Sequence, residues 1–387
     1  MHISTRLFVS AALQVVLAAA CSSEPVSDAG AGELERPSAY ESLPRVQPVY
    51  ESPLCHDQAR CALPPEPHGA VNSNGDAIVG VSSPDLPPVV LVPAATRELI
   101  PIGRRGTGPG EYRSPFAQAF DANGDLLLVD PFARRMLRYS STGASLQTAR
   151  ISLPPAMAQV GSIGNIADGR MHLLGATAPE AKGTAADSAR IQLFWLAPDG
   201  DAEVRHSLEL RLPVFGLGAM IEAPPIFAAH ALFWVATGGV VYLARAQTLS
   251  VERFDSTGRR DRVAGFAVAG RKVEEADVRR FRERMMPSGA PSAMREAIER
   301  QLARRPDRHP AVMRMQRTAD GELWLGQTPR VQGDSVEWLV FDAELKPRVR
   351  VWLAASDAII GGTRGRVLIA REGDAGEQDG YWWARLP

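Results

Sequence analysis

One small pattern of polar and apolar positions returns along most of the chain. A polar turn centred on glycine precedes four or five residues of strand character: "NSNGDAIVGV" from 72, "DANGDLLLVD" from 121, "ADGRMHLLGA" from 167, "TGGVVYLAR" from 237, "ADGELWLGQ" from 319 and "TRGRVLIAR" from 363. The glycines fall at 75, 124, 169, 239, 321 and 365, so the units are 49, 45, 70, 82 and 44 residues apart. Spacings in the forties match one four-stranded blade, and the two longer ones leave room for insertions. Between units a further strand tends to end in a second turn, as in "RMLRYSSTGASL" from 135, "IQLFWLAPDGDAEV" from 191, "SVERFDSTGRRDRV" from 250 and "EWLVFDAELKPRVRV" from 337. Asp, Ser, Thr and Gly at these places supply hairpin chemistry.

Leu126 to Val129 and Val367 to Ala370 are apolar at every position rather than at alternate ones. Such strands need cover on both faces, which sheets stacked about an axis supply. Long helical patterns between the units are absent, which argues against parallel βαβ construction. The expected fold is therefore all-β, a six-bladed β-propeller of four-stranded antiparallel blades over residues 45–387. A β-sandwich or a pair of small β-domains is the competing arrangement. The chain stops at "GYWWARLP", a third strand with nothing after it, so Val46 to Glu51 is expected to supply the missing outer strand of the last blade and remove an exposed edge.

Two intervals break the pattern. In residues 273–305, Val278, Phe281 and Met285 share one helical face, and Met294, Ala297, Ile298 and Leu302 share another after a break at "PSGAPS". A helical hairpin is expected there, either covering an apolar rim or serving as a lid or docking arm. Its arginines are interleaved with glutamates, as on a solvated helix. Residues 211–234, apolar and proline-bearing, read as a long crossing loop and the inner strand after it.

The densest glycine stretch is "GRRGTGPGEYRSP", residues 103–115. It lacks the Lys and Ser or Thr of a phosphate-binding P-loop, and Gly106, Gly108 and Gly110 are evenly spaced, unlike a dinucleotide loop. Residues 114–130, "SPFAQAFDANGDLLLVD", read as strand, turn, strand, leaving no helix N-terminus for a phosphate. The stretch and its continuation "AFDANGDLLLVDPFARRMLRYSSTG" resemble one NHL-type repeat of six-bladed β-propeller lipoproteins with a G-x-G-P-G-E-[FY] signature. The resemblance is strong over 103–143 and weaker to 387. It implies that the glycines form the crossing from one blade's outer strand to the next blade's inner strand. It also implies that Tyr112 packs between blades and that Asp130 closes a turn.

The first residues carry one cation, Arg6, then the apolar run Leu7 to Ala20 and small residues before Cys21. Residues 1–20 are read as an export signal, too short to span a bilayer comfortably. "LAAAC" resembles a bacterial lipobox, with leucine one place earlier than in that family. The resemblance implies lipidation of Cys21, and Ser22 implies outer-membrane sorting, periplasmic or surface-facing. Residues 21–44, rich in Pro, Ser, Ala and Glu, are expected to form a flexible tether. Of the two remaining cysteines, Cys55 and Cys61 are expected to bridge in an oxidising compartment.

Net charge is −1, so no global field favours nucleic acid, and export excludes that partner. None of the seven histidines completes a zinc-binding spacing, and no Gly-x-Ser-x-Gly elbow is present. No local metal site or cofactor is expected; assembly of His68, His172 and His230 across blades is the remaining metal arrangement. Asp121, Asp168, Asp199, Asp255, Asp320 and Asp342 are assigned to turns. The preferred role is a non-catalytic, monomeric, lipid-anchored platform for an envelope protein or small ligand, with Arg104, Arg105, Arg113, Arg134 and Arg135 as its polar contact surface. The alternative is a propeller hydrolase or lyase with a metal-dependent site at the axial opening, as in some related six-bladed families.

Overall fold

The computed structural model describes residues 34–387 except 66, 116, 122, 131–132, 152–156, 165–170, 178–187, 197–201, 214–226, 228–231, 245, 287–288, 290, 330–334 and 373–378. The chain is mostly β, and its four-stranded antiparallel sheets succeed one another in sequence. The first sheet comprises Gly69–Val71, Ala77–Gly80, Val89–Val92 and Ile100–Pro101; the second comprises Ala117–Phe120, Leu126–Asp130, Arg135–Tyr139 and Ser145–Arg150. The third comprises Met157–Gly164, Met171–Thr177, Ser188–Leu196 and Ala202–Pro213, and the fourth Leu232–Val235, Val241–Ala244, Thr248–Phe254 and Arg260–Ala269. The fifth comprises Arg314–Arg317, Leu323–Gly326, Ser335–Phe341 and Pro347–Ala354, and the sixth begins with Ala358–Thr363, Arg366–Arg371 and Gly380–Arg385.

The first strands of successive sheets are neighbours, from the first sheet round to the sixth, and the first strand of the sixth returns to Gly69–Val71. This cyclic adjacency is the propeller arrangement. It explains why the second strands do not alternate. Ile78 faces a cluster shared with Phe120, Leu126 and Leu128 of the second sheet, whereas Ala77 and Val79 face one shared with Leu368 and Ala370 of the sixth. Val367 and Ile369 turn the other way, to Trp324, Trp338 and Val351 of the fifth sheet. Both faces of each such strand are interior, and each fully buried Val, Leu or Ile contributes about 1.5–3 kcal/mol.

The recurring turn has a defined chemistry. Asp121 Oδ1 accepts the N–H groups of Asn123 and Asp125, Asp255 Oδ1 those of Thr257 and Arg259, and Asp342 Oδ1 those of Glu344 and Lys346. Asn72 and Ser140 act in the same way. The third residue after each takes a left-handed backbone, φ +81° at Gly124, and the Asp342 turn places Leu345 there at φ +59°. Asp168 and Asp199 lie outside the described residues.

The N-terminal segment departs from the expected flexible tether over residues 35–44. Glu35 forms a parallel bridge to Phe266, Pro37 opens a short helix, α1 (Pro37–Ser42), and Tyr40 is buried between the fourth and fifth sheets. Arg45–Val46 then pairs in parallel with Arg350 and Val351, adding a fifth strand to the fifth sheet. Val49–Pro53 pairs antiparallel with the C-terminal strand and completes the sixth sheet. The closing strand thus begins after Val46, which belongs to the neighbouring sheet. Pro48 stands between the two, where it has no N–H to continue a ladder.

The segment is fixed by a buried polar group. The Tyr40 hydroxyl donates to Glu337 and accepts from the Gln327 amide, and the Arg350 guanidinium lies 4.9 Å from the Tyr40 ring centroid. Arg350 also pairs with Glu337 at 3.5 Å and donates to the Glu41 and Leu43 carbonyls. Burial pushes the Tyr40 phenol above its usual range, and the Glu337 carboxylate adds to this.

Helices α2 (Glu275–Met285) and α3 (Ser292–Ala303) occupy the crossing from the fourth sheet to the fifth. Val278, Ile298 and Leu302 form their shared buried seam, with Phe281, Met285 and Met294 packed against it.

Candidate functional site

The glycine-rich crossing runs from the outer strand of the first sheet to the inner strand of the second. Gly103 and Gly110 have φ of +60° and +65°, and a Cβ at Gly103 would lie 2.4 Å from the Tyr139 hydroxyl. Tyr112 is fully buried between the two sheets and donates to the Ile102 carbonyl at 2.7 Å; Tyr139 donates to the Gly110 carbonyl at 3.0 Å. Burial pushes the Tyr139 phenol up to about 12. These contacts make the stretch a fixed turn between sheets.

Two carboxylates hold its outer part. Glu111 accepts the Gly108 N–H at 2.7 Å and pairs with Arg104 at 2.6 Å, and these bonds, the backbone one foremost, hold its carboxyl below the usual range. Asp130, wholly buried, accepts from the N–H groups of Arg113, Ser114 and Ala133. It thereby ties the crossing to the turn between the second and third strands.

The structure divides the five arginines proposed from sequence. Arg104 is spent on Glu111, and Arg135 Nη1 donates to the Gly108 carbonyl at 2.8 Å, so both brace the loop. Arg105, Arg113 and Arg134 are exposed, and among the described residues their side chains enter no hydrogen bond or ion pair. Arg105 lies beside Tyr112 in a short parallel bridge, one residue from Arg113, and Arg134 comes directly after the Ala133 N–H bound by Asp130. In the turn at the other end of the same sheet, Asp121 and Asp125 both pair with Arg138.

A second constellation went unread in the sequence. Arg271 grips Asp277 with two bonds of 2.6 Å, the Glu274 N–H donates to Asp277 at 2.9 Å, and His309 Nε2 lies 2.9 Å from the same carboxylate. The carboxylate only accepts, so the Nε2 proton is on His309. Burial alone raises Asp277, but Arg271, the Glu274 N–H and His309 outweigh it and hold the carboxyl below the usual range. Burial pushes His309 below its usual value. The ring of Phe227 meets His309 edge-on at 4.6 Å and Phe281 at 5.8 Å. Asp277 and His309 are 8% and 6% exposed, so the group fastens α2 to the body instead of meeting a substrate. Spacings of 6 and 32 residues hid it from any local motif.

Cys55 and Cys61 form the expected disulfide, and both are buried. Cys21 and the side chains of His172, His206 and His230 lie outside the described residues. Among the described residues no group of three or more His, Cys, Asp or Glu side chains is placed to hold a metal ion.

No protein-family model matches the chain, and no curated protein matches it. Solved structures do. An exported protein of Bacteroides fragilis superposes with a TM-score of 0.51 at 12% identity, covering 88% of this chain and 95% of that one. A member of the DUF4221 family from Bacteroides vulgatus gives a TM-score of 0.51 at 9% identity, covering 88% and 98%. The virginiamycin B lyase of Staphylococcus aureus reaches 0.37 at 9% identity, covering 82% and 78%, too low for its activity to bear on this chain. The likeness shows the fold alone.

Proposed function

We propose that the chain is an exported, lipid-anchored protein whose sheets form the six blades of a closed NHL-like propeller, with α2 and α3 as an insertion, and that this disc is a non-catalytic binding platform at the cell envelope. The observation that carries the reading is the cyclic contact of the inner strands, closed by a strand from each end of the chain. A ring fastened in this way is a rigid scaffold, and its exposed loops are where recognition is placed on such scaffolds. The signal-like N-terminus with Cys21 supports the location.

The test joins two measurements on the full chain produced in a bacterial host. Palmitate labelling is expected in the wild type and lost in Cys21→Ala, with the label in the outer-membrane fraction. Purified protein is expected to carry substoichiometric metal by elemental analysis and to turn over no ester, lactone or cyclic depsipeptide. Equimolar calcium or zinc together with turnover overturns the platform in favour of a hydrolase or lyase; unlabelled wild type overturns the anchor.

A further inference from the structure

We propose that the loops of the second sheet dock an acidic polypeptide through Arg105, Arg113 and Arg134; this rests on the platform reading and names its partner class. Three observations lead there. First, the local charges do not balance. Glu111 is neutralised by Arg104, Asp121 and Asp125 share Arg138, and Asp130 is buried beneath three backbone N–H groups. Among the described residues, these three exposed guanidiniums remain without a counter-charge.

Second, their backbones are held in one place. Arg105 and Tyr112 are register partners, Arg113 comes next, and Asp130 bonds both the Arg113 N–H and the Ala133 N–H beside Arg134. Their backbones therefore stand close together, since register partners on neighbouring strands lie about 5 Å apart. The loop loses little freedom on binding, which favours affinity. Arginine forks match carboxylates with paired hydrogen bonds, and Arg is enriched where protein surfaces meet.

Third, the position of the patch chooses between anionic partners. The N-terminal segment lies along the fourth, fifth and sixth sheets through Glu35, Arg45–Val46 and Val49–Pro53. In the cyclic order of inner strands the second sheet stands across from the fifth. The described chain enters at Glu35 on the fourth sheet, two places round the ring from the second, so the patch does not adjoin the point of entry. That geometry favours a carboxylate-bearing protein surface over the lipid headgroups of the anchoring membrane.

The test uses the purified full chain, fluorescein-labelled hexaglutamate read by anisotropy, and flotation with phosphatidylcholine vesicles with and without phosphatidylglycerol. Arg105→Glu/Arg113→Glu/Arg134→Glu is compared with Arg364→Glu, an exposed arginine that shares the left-handed backbone of Arg134 but lies in the first hairpin turn of the sixth sheet. Peptide affinity is expected to fall about tenfold or more in the triple variant, to stay within about twofold in Arg364→Glu, and to weaken with salt in the wild type. The triple lysine variant is expected to fall between, because charge without the fork recovers only part of the binding. Matching urea midpoints establish that the variants are folded. Equal peptide binding by the triple variant, an equal loss in Arg364→Glu, or no peptide binding by the wild type overturns the proposal. Patch-dependent binding to phosphatidylglycerol vesicles without peptide binding overturns it in favour of a lipid surface. The platform reading falls on metal and turnover, not on these arms, so the two failures are distinct.

Discussion

Removing Tyr40 tests whether the N-terminal segment is a fastened part of the ring. Its side chain is 7% exposed, its ring meets Phe266 at 5.4 Å, and Arg350 lies over it. Tyr40→Phe deletes only the hydroxyl between Glu337 and Gln327. Glu337 keeps Arg350 at 3.5 Å and Arg45 at 3.7 Å, so the cost is that of a stranded Gln327 amide and one charge-assisted bond, about 1–2 kcal/mol. Tyr40→Ala also removes the ring and its contact with the guanidinium, for a total of about 3–5 kcal/mol. The loss falls first on the docking of residues 35–46. Limited proteolysis with mass spectrometry is therefore expected to show cuts in this segment, with the sheets intact, at a rate rising from wild type to Phe to Ala. Urea unfolding is expected to order the midpoints in reverse. Equal cleavage rates and equal midpoints for wild type and Tyr40→Ala would refute the fastening.

The disulfide closes a short loop, and Cys55→Ser/Cys61→Ser is expected to lose about 2 kcal/mol in urea unfolding, a difference that disappears when both proteins are measured in reductant. Asp357 is 1% exposed; Tyr50 donates to its Oδ2 at 2.8 Å, while Oδ1 has no hydrogen-bond partner among the described residues. Burial raises its carboxyl above the usual range, so the native state holds its proton longer and stability falls as pH rises from about 4 through the raised value. Asp357→Asn is expected to flatten that slope in a series of unfolding midpoints and to equal or exceed the wild type at neutral pH. Asp277 behaves oppositely. Its lowered carboxyl contributes stability above about pH 4 that is lost on acidification. Asp277→Ala strands Arg271 and His309 and is expected to cost about 3–5 kcal/mol, read as exchange of the α2 amides ahead of the sheets.

The repeat was legible because each turn is local chemistry. An Asp, Asn or Ser with glycine three residues on needs no distant partner, and "DANGD" or "NSNGD" announces it within five residues. The unbroken apolar runs disclosed burial on both faces for the same reason. Arg104 and Arg135 were harder to read, because whether an arginine braces a loop or faces solvent depends on Glu111 and the Gly108 carbonyl, which only the folded crossing brings near. The docked segment at 35–46 was hidden by composition. Its proline and glutamate content reads as disorder, and Tyr40, the lone aromatic between Ser22 and Pro48, was the available signal. Arg271, Asp277 and His309 meet only once α2 is seated.

Pairing Tyr50 with Ala384 gives the molecule an assembly order. The partners stand 334 positions apart, so the strand Val49–Pro53 is made long before Gly380–Arg385 and waits with its ladder unfilled while the first five sheets emerge. Until Gly380–Arg385 emerges, the sixth sheet lacks its last two strands and the circle stays open. A stop before Gly380 would therefore leave two raw borders where the folded protein has a seam.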